Sequence, residues 1–160
     1  MSRFTISLGL TLAAASPALA MTDQQFLKQA IQTDNAEIEL GRLAEAKGGD
    51  VATKAYGQTL VLDHSQHKKE ALAVAQHIGM APPQDAPPAA KVENDKLERM
   101  SGVAFDEEFA SFMIDGHARA IADFKTEAAS GHGEVAKLAE KSLPTLQKHL
   151  AMARALQGGK

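Results

Sequence analysis

The feature that most constrains the fold is the grouping of glycine and proline, which divides the chain into long helix-forming stretches. Between these groups the sequence is rich in Ala, Leu, Glu, Lys and Gln, which favour helix strongly. Gly48 and Gly49 separate the first two stretches, residues 79–88 separate the second from the third, and Gly131 and Gly133 precede the last. This pattern predicts an all-α fold with four long helices.

The approximate bounds of the predicted helices follow from these breaks. They are helix A over 23–47, helix B over 50–78, helix C over 103–130 and helix D over 134–156. Thr22 or Asp23 is the expected cap of helix A, because both side chains can accept a main-chain N–H. Residues 89–100 are compatible with a short extra helix. Pro144 lies inside helix D and predicts a kink, because proline cannot donate to the carbonyl one turn back.

The unequal lengths of the connections select the bundle topology. The first and last connections are short, so helices A and B form one antiparallel hairpin and helices C and D form another. More than twenty residues separate helices B and C, which is enough to run the length of a bundle, and four prolines keep that crossover extended. Short, long, short is the pattern of a ferritin-like four-helix bundle with one crossover.

The first twenty residues have the pattern of a secretory signal peptide. Arg3 gives a positive start, an apolar run too short to span a bilayer follows, and the small residues that signal peptidase requires end at Ala20. We predict cleavage after Ala20, which leaves residues 21–160 as one domain with an ordered core of about 23–156. The predicted compartment is the bacterial periplasm, and the alternative is an uncleaved membrane anchor.

Charge and composition exclude several classes of protein. Removing Arg3 changes the formal net charge from −3 to −4, whereas binding of nucleic acid needs clustered Lys and Arg. The predicted mature chain has no second apolar stretch long enough to form a transmembrane segment. Because the chain has no cysteine, it has no disulfide and no lipid-modified cysteine, so apolar burial must hold the fold together.

The most informative residues are polar side chains on the apolar faces of the predicted helices. On a helical wheel, Glu37 and Asp34 fall within the apolar arc of helix A, and His117 falls within that of helix C. Glu39 and Asp115 point away from these arcs. Buried carboxylates and imidazoles are costly unless they are paired, so the inward residues are candidates for a site.

Helices B and D carry inward histidines as well. In helix B, His67 lies at the centre of the apolar stripe with Asp63 and His64 beside it, and in helix D His149 lies at the edge of the stripe. Each helix therefore supplies an inward carboxylate or imidazole at a similar height. The predicted metal ligands are Glu37, His64, His117 and His149, with Asp63 and His67 as less certain members.

Two interpretations of these side chains stay open. A carboxylate and several imidazoles that meet in the middle of a bundle can bind a divalent metal such as zinc, copper or iron. The same side chains can instead form an unmetallated buried Asp/Glu–His network, since inward histidines are usually satisfied by a neighbouring carboxylate. His77 and His132 lie near predicted helix ends and are expected to be exposed.

Missing motifs argue against most enzymes of this shape. Di-iron carboxylate bundles carry Glu-x-x-His on two helices, and this chain contains no such sequence. It also contains no Gly-x-Ser-x-Gly, no phosphate-binding loop and no His-Glu-x-x-His. Histidine-rich inward positions favour zinc or copper over a carboxylate di-iron centre. We therefore assign no catalytic residue and expect a protein that is not an enzyme.

Four short segments, in order along the chain, resemble the signatures of the DUF4142 family of exported bacterial proteins. The segments are 36–44, 61–64, Phe105-Asp106 with Asp115-Gly116-His117, and 143–146 with His149, Leu150 and Ala153. The resemblance covers nearly the whole predicted mature chain. It implies a ferritin-like bundle, export, and no firmly assigned activity.

The resemblance can be carried over residue by residue. The residues that match the family pattern are Glu37, Asp63, His64, Asp106, His117 and His149. His67 lies outside the pattern, which weakens it as a required ligand, whereas Pro144 belongs to the pattern. Phe109 stands where the family commonly has Tyr, so a role for that hydroxyl is not expected here.

Three functional hypotheses follow from the sequence. The first is an exported metal-binding bundle of uncharacterised activity, used for sequestration, sensing or stress protection. The second is a non-catalytic periplasmic interaction or stress-related structural protein, which contacts an envelope protein or a second copy through exposed helix faces or residues 81–90. The third is an oxidoreductase of ferritin-like descent, which the missing Glu-x-x-His disfavours.

Overall fold

The computed structural model describes residues 21–158 and contains five α-helices within that range. They are α1 (Asp23–Lys47), α2 (Val51–His77), α3 (Pro88–Leu97), α4 (Gly102–Ser130) and α5 (Gly133–Gly158). The four long helices form a ferritin-like bundle, which confirms the predicted fold, and α3 is the short helix of the crossover. The predicted signal peptide, residues 1–20, lies outside the described residues. None of the helices in 21–158 combines the length and apolarity needed to cross a membrane.

Local capping explains where the helices of the first hairpin begin. At the start of α1, the Gln25 N–H donates to Thr22 Oγ1 (3.2 Å) and the Thr22 N–H donates to Gln25 Oε1 (2.9 Å), which is a capping box. The Asp50 side chain caps α2 by accepting the Ala52 N–H at 2.9 Å. Pro144 lies inside α5, as predicted.

Two apolar clusters at opposite ends of the bundle show how the helices run. The Phe26 cluster comprises Phe26, Leu27, Ala30, Ile31, Ala71, Ala75, Ile121, Phe124, Val135, Leu138, Ala139 and Leu146. The Tyr56 cluster comprises Leu40, Ala44, Tyr56, Leu60, Leu97, Phe105, Phe109, Met113 and Ala153. The start of α1 thus packs with the end of α2, and the end of α4 with the start of α5. Both hairpins are antiparallel, and residues 78–101 cross from the Phe26 end to the Tyr56 end.

The crossover packs along α1. Asn35 Nδ2 donates to the Asp85 main-chain carbonyl at 3.0 Å, and Gln32 Nε2 donates to Asp85 Oδ1 at 3.1 Å. Ala86 is buried in a small cluster with Ala36. These contacts hold the proline-rich part of the crossover against the bundle.

At the Tyr56 end, Asp106 joins the α1–α2 loop to the start of α4. Its two carboxylate oxygens accept the N–H groups of Gly49 and Asp50, each at 2.9 Å. Gly48 and Gly102 form a parallel β-bridge beside this contact. Hydrogen bonds to a charged group are about twice as strong as neutral ones, so Asp106 fastens the first hairpin to the second.

The helices α1 and α2 approach closely where two glycines face each other. A Cβ atom on Gly57 would lie 2.5 Å from the Gly41 carbonyl oxygen, and one on Gly41 would lie 2.8 Å from the Gly57 carbonyl oxygen. Only glycine permits backbones to come this near. The contact lies about one turn from Glu37 and two turns from His64, so it sets how closely those side chains approach.

Candidate metal centre

A layer of buried polar side chains separates the Phe26 cluster from the Tyr56 cluster. The layer consists of Asp34 and Glu37 from α1, His64 from α2, His117 from α4 and His149 from α5. None of the five is more than 6% exposed. Burial of so many ionisable groups is unfavourable unless they pair with one another or with an ion. Their mutual contacts therefore decide what the layer can do.

Three imidazoles and a carboxylate converge in this layer. One ring nitrogen from each of His64, His117 and His149 lies within 4.8 Å of the other two. His117 Nε2 and His149 Nδ1 are 3.3 Å apart. Glu37 Oε2 lies 3.1 Å from His64 Nε2 and 3.3 Å from His117 Nε2. The structure thus brings these four predicted residues together at one height.

The second nitrogen of each imidazole contacts an oxygen atom outside this group. The contacts are His64 Nδ1 with Asp34 Oδ1, His117 Nδ1 with the Met113 main-chain carbonyl, and His149 Nε2 with Asp63 Oδ2, each at 2.9 Å. Carboxylate and carbonyl oxygens accept hydrogen bonds, so the outer nitrogen of each ring carries a proton and donates it. In a neutral ring the inner nitrogen then carries a lone pair.

This arrangement is the one that metal-binding histidines have. A ligating histidine almost always donates its other ring N–H to a carboxylate, a carbonyl or water, which fixes its tautomer and its orientation. Here all three rings meet that condition. Three imidazole nitrogens with one carboxylate oxygen form a donor set that suits zinc and copper.

Glu37 and His64 form a buried ion pair, as the opposite shifts of their pKa values indicate. Burial raises the pKa of Glu37, but His117 and His64 outweigh this effect and bring the pKa down to about 2. Burial lowers the pKa of His64, but Glu37 and Asp34 outweigh this effect and bring the pKa up to about 10. At neutral pH the layer thus holds a buried imidazolium between carboxylates, and a cation that displaced its proton would meet two negative neighbours.

His149 shows the opposite shift. Burial lowers its pKa, the hydrogen bond to Asp63 opposes this change, and the charges of His64 and His117 add to it, so that the pKa falls to about 4. His149 is therefore neutral at physiological pH. Tyr56 lies beside it, with ring centroids 6.2 Å apart, and burial together with the charge of Glu37 raises the pKa of the Tyr56 hydroxyl.

The two less certain candidates, Asp63 and His67, lie next to the convergent group. Asp63 is partly exposed and accepts a hydrogen bond from the outer nitrogen of His149. His67 contacts Asp34, with His67 Nδ1 2.8 Å from Asp34 Oδ2. The wheel positions of two histidines were wrong: His64, not His67, is the buried histidine of α2, and His149 has no exposed surface. A wheel averages the apolar stripe over a whole helix, whereas burial depends on the neighbours at one height.

Some groups that orient the candidate ligands carry little sequence signal. Asp34 was predicted only to face inward, yet it contacts both His64 and His67. Its spacing of three residues from Glu37 places both side chains on one helix face. This spacing is the sequence feature that could have placed Asp34 in the same site. The Met113 carbonyl belongs to the main chain, which every residue has, so the residue type at this position does not indicate the contact. His77 and His132 are exposed, as predicted.

A cavity of about 190 Å³ adjoins the layer on the side of the Phe26 cluster. Apolar side chains such as Phe26, Phe124 and Leu146 form part of its wall, and His64 and His149 line it where it meets the layer. Its other polar lining residues include Gln29, Asp34, Asp63, Gln66, His67, Glu70, Asp123 and Lys141. Several of these are exposed or partly exposed, so the cavity extends from the bundle surface to the centre.

The fold and the site define this chain as a ferritin-like helical bundle with a buried imidazole–carboxylate centre. The chain belongs to the DUF4142 family, because the model of this family, a domain of unknown function, matches residues 9–156. The family resemblance predicted from the four sequence segments is thereby confirmed.

Two solved structures share the fold. A DUF305 fragment from Deinococcus radiodurans has 16% sequence identity and a TM-score of 0.76, over 86% of this chain and 96% of the fragment. CopM in its Cu(II)-bound form has 19% identity and a TM-score of 0.73, over 89% of this chain and 100% of CopM. At these identities the likeness shows the fold alone. No curated protein sequence matches the chain.

Proposed function

We propose that this protein is an exported, non-catalytic bundle that binds one divalent metal ion in its central layer. The observation that carries the proposal is the convergence of three anchored imidazoles and a carboxylate in a buried layer. The proposed ligands are Glu37, His64, His117 and His149. Asp63 orients His149 from outside the ligand set, and His67 contacts the layer through Asp34.

Three of the six separations among the four ligand atoms match those around a small cation. Metal–nitrogen bonds of about 2.0–2.1 Å in tetrahedral geometry place ligand atoms about 3.3 Å apart. The separations given above are 3.1, 3.3 and 3.3 Å. Glu37 Oε2 and His64 Nε2 are also buried without an aligned hydrogen-bond partner. A cation between these two atoms would satisfy both.

The donor set decides which metal is tested first. Imidazole suits both copper and zinc, and divalent copper binds a given set of nitrogen and oxygen ligands more tightly than zinc or iron does. One protein with the same fold, CopM, is known in a Cu(II)-bound form. We therefore place copper(II) first, zinc second and iron third.

Metal binding is tested on untagged protein after chelation, with copper(II), zinc(II) and iron(II) added separately. We expect one copper ion per chain by calorimetry, with nitrogen hyperfine structure in the electron paramagnetic resonance spectrum. Binding to the native state must also raise the melting temperature, because a ligand at 100 times its Kd stabilises the fold by about 2.7 kcal/mol. No binding, together with no melting shift for any of the three metals, would show the proposal to be wrong.

Matched histidine substitutions separate the buried centre from the surface. His117→Gln and His149→Gln each remove a buried ligand nitrogen, so we expect stoichiometric copper binding to be lost. His132→Gln removes an exposed histidine, so we expect unchanged binding. Circular dichroism of each variant shows whether it is folded. Wild-type binding in folded versions of both buried variants would place the ion elsewhere.

Asp63→Asn tests the outer contact to His149. An amide can present its N–H₂ group to His149 Nε2 and no longer favours the correct tautomer, and loss of such an outer partner typically weakens metal binding about 10- to 100-fold. We expect one ion per chain with reduced affinity, measured by calorimetry. Asp115→Asn, at an exposed position of α4, is the control and should leave the affinity unchanged.

Export to the periplasm is part of the same proposal. It is supported by the signal-peptide pattern of residues 1–20. Mass spectrometry of the protein from a periplasmic extract should show a mature chain that begins at Met21. A full-length chain that stays with the membrane fraction would contradict this part of the proposal.

Four protein ligands leave no open position for a substrate, so sequestration or transfer of the ion is favoured over catalysis.

The second candidate is an unmetallated network that fixes the register of the helices. It is favoured by the pairing of Glu37 with His64 at 3.1 Å, since their opposite pKa shifts stabilise the ion pair without a metal. Under this alternative, Glu37→Gln destabilises the chelated protein by about 1–3 kcal/mol, because the buried His64 imidazolium keeps Asp34 but loses the charged acceptor at its Nε2. That result, with no metal response in the wild type, would establish the network as the function of the layer.

A further inference from the structure

We infer that the cavity beside the central layer is the route by which the cation reaches its ligands, and that His67 Nε2 is a transient ligand on this route. The inference rests on the proposed metal binding. It adds a second, temporary binding position to the centre and assigns it to a histidine outside the family pattern.

The cavity reaches the centre from one side. His64 and His149 line it, whereas Glu37 and His117 are not among its lining residues. On the opposite side, the Tyr56 ring packs against His149 and Phe109, with ring centroids 6.2 and 5.9 Å away. A cation arriving from solvent through the cavity therefore meets His64 and His149 before the other two ligands.

His67 has one ring nitrogen bonded to a carboxylate and the other without a partner, which is the pattern of a histidine that can bind a metal. Its Nδ1 donates to Asp34 at 2.8 Å, so its Nε2 carries the lone pair of the neutral ring. That Nε2 atom is buried and has no hydrogen-bond partner. Buried polar atoms are almost always partnered, and His67 is a lining residue of the cavity, so its unpartnered nitrogen is the candidate ligand on this side of the layer. His67 lies three residues after His64, on the same side of α2, so an ion can pass between them.

The charges and size of the cavity fit a cation. Among the described residues that line it, four are carboxylates: Asp34, Asp63, Glu70 and Asp123. Lys141 is the one lysine or arginine in that lining, and its charge is paired with Glu70 at 2.8 Å. Lys148, outside the lining, lies 3.5 Å from Asp63 Oδ2, and the His64 imidazolium described above offsets a further charge. A net negative charge still remains, and it attracts cations and disfavours anions. The volume of about 190 Å³ is many times the roughly 10–15 Å³ that one water molecule requires, so an ion can pass with part of its hydration shell.

The test compares the rates of copper(II) loading and release with the equilibrium affinity. Chelated full-length protein is mixed with copper(II) in a stopped-flow instrument, and release is followed with excess chromogenic chelator. His67→Gln keeps an N–H donor for Asp34 but removes the ligand nitrogen. We expect both rate constants to fall at least tenfold while Kd stays within twofold, because a ligand on the route changes the barrier and not the end state. His132→Gln, at an exposed position, should change neither rate.

A second pair of variants tests the route without touching an imidazole. Thr145 lines the cavity. Thr145→Met narrows the cavity and should slow both rates, whereas the nearly isosteric Thr145→Val should leave them unchanged. Wild-type rates in both His67→Gln and Thr145→Met would overturn the inference, even if copper binds normally. Weaker binding with an unchanged loading rate in His67→Gln would make His67 a permanent ligand and would also overturn it. Absence of copper binding in the wild type would instead refute the proposed function and the route with it.

Discussion

The two ends of the bundle are built differently on either side of the same polar layer. At the Tyr56 end, Tyr56, Phe105 and Phe109 are almost fully buried, and the Phe105 and Phe109 rings stack with centroids 5.7 Å apart. At the Phe26 end, the interior is richer in alanine and borders the cavity of about 190 Å³. The layer therefore has one sealed face and one accessible face, and the proposed exchange of an ion would use the accessible one.

The contacts that orient the imidazoles also differ between the sealed face and the accessible face of the layer. His117 is held by the main-chain carbonyl of Met113, which belongs to the Tyr56 cluster. His64 and His149 are held by the side chains of Asp34 and Asp63, which line the cavity. A main-chain acceptor cannot be lost by substitution, so the contact to His117 is the one of these three that no side-chain change at the acceptor removes.

The largest expected effect compares one aromatic ring from each end. Phe109→Ala should lower the free energy of unfolding by about 3–5 kcal/mol, because its ring has no exposed surface and its loss opens a new cavity. Phe124→Ala should lower it by less, because that ring is 7% exposed and already borders the cavity. Urea denaturation measures both values. Equal losses would contradict the contrast between a sealed end and an accessible end.

Next in size is the contribution of Asp106, which fastens the Tyr56 end. Asp106→Ala should lower the free energy of unfolding by about 1–3 kcal/mol, because the Gly49 and Asp50 N–H groups lose their acceptor. Asp106→Asn keeps one acceptor oxygen and should cost less. Hydrogen exchange at Gly49 and Asp50 reports the local effect. Unchanged exchange in Asp106→Ala would show that this contact does not hold the loop.

A smaller effect is expected where α1 and α2 touch. Gly57→Ala should destabilise the protein by about 1–2 kcal/mol, since the clash with the Gly41 carbonyl outweighs the helix propensity that alanine adds. Gly116→Ala is the matched control in α4, where no atom beyond the adjacent residues and backbone of the helix itself lies within 4 Å of the added Cβ. It should stabilise by about 0.5–1 kcal/mol. Thermal unfolding checks the signs, and a neutral Gly57→Ala would mean that the helices are free to separate.

The smallest effect concerns the Phe26 end, where an exposed pair joins α2 to α5. His77 Nδ1 lies 2.6 Å from Glu134 Oε2, and this hydrogen bond and charge raise the pKa of His77. A raised pKa means that the contribution is complete below the unfolded-state value of about 6.5 and is lost as the pH rises through the folded-state pKa. The melting temperatures of wild type and His77→Gln should differ slightly at pH 5 and converge by pH 9. A difference that does not depend on pH would contradict the ion pair.

Much of the fold could be predicted because its determinants are local. The bounds of α1 were predicted as residues 23–47, and the structure has Asp23–Lys47 with Thr22 as the cap. Glycine and proline act within a turn of their own position, so helix ends can be located from sequence. The short, long and short connections then left few topologies for four long helices.

The candidate site could be predicted only as a set of inward residues. Helical wheels give the direction of a side chain on its own helix but not the rotation of one helix against the next. For this reason His67 was placed too centrally and His149 too peripherally, while the double contact of Asp34 was missed. The Met113 carbonyl and the cavity depend on tertiary packing, so they could not be predicted from residue types.

The division of the candidate ligands between the hairpins has one further consequence. The α1–α2 hairpin supplies Glu37 and His64, and the α4–α5 hairpin supplies His117 and His149. Coordinate bonds to one ion would thus cross-link two halves of a chain in which no cysteine can form a disulfide. The bound ion would act as a reversible cross-link between the hairpins. The stability of the bundle would then depend on the concentration of metal around it.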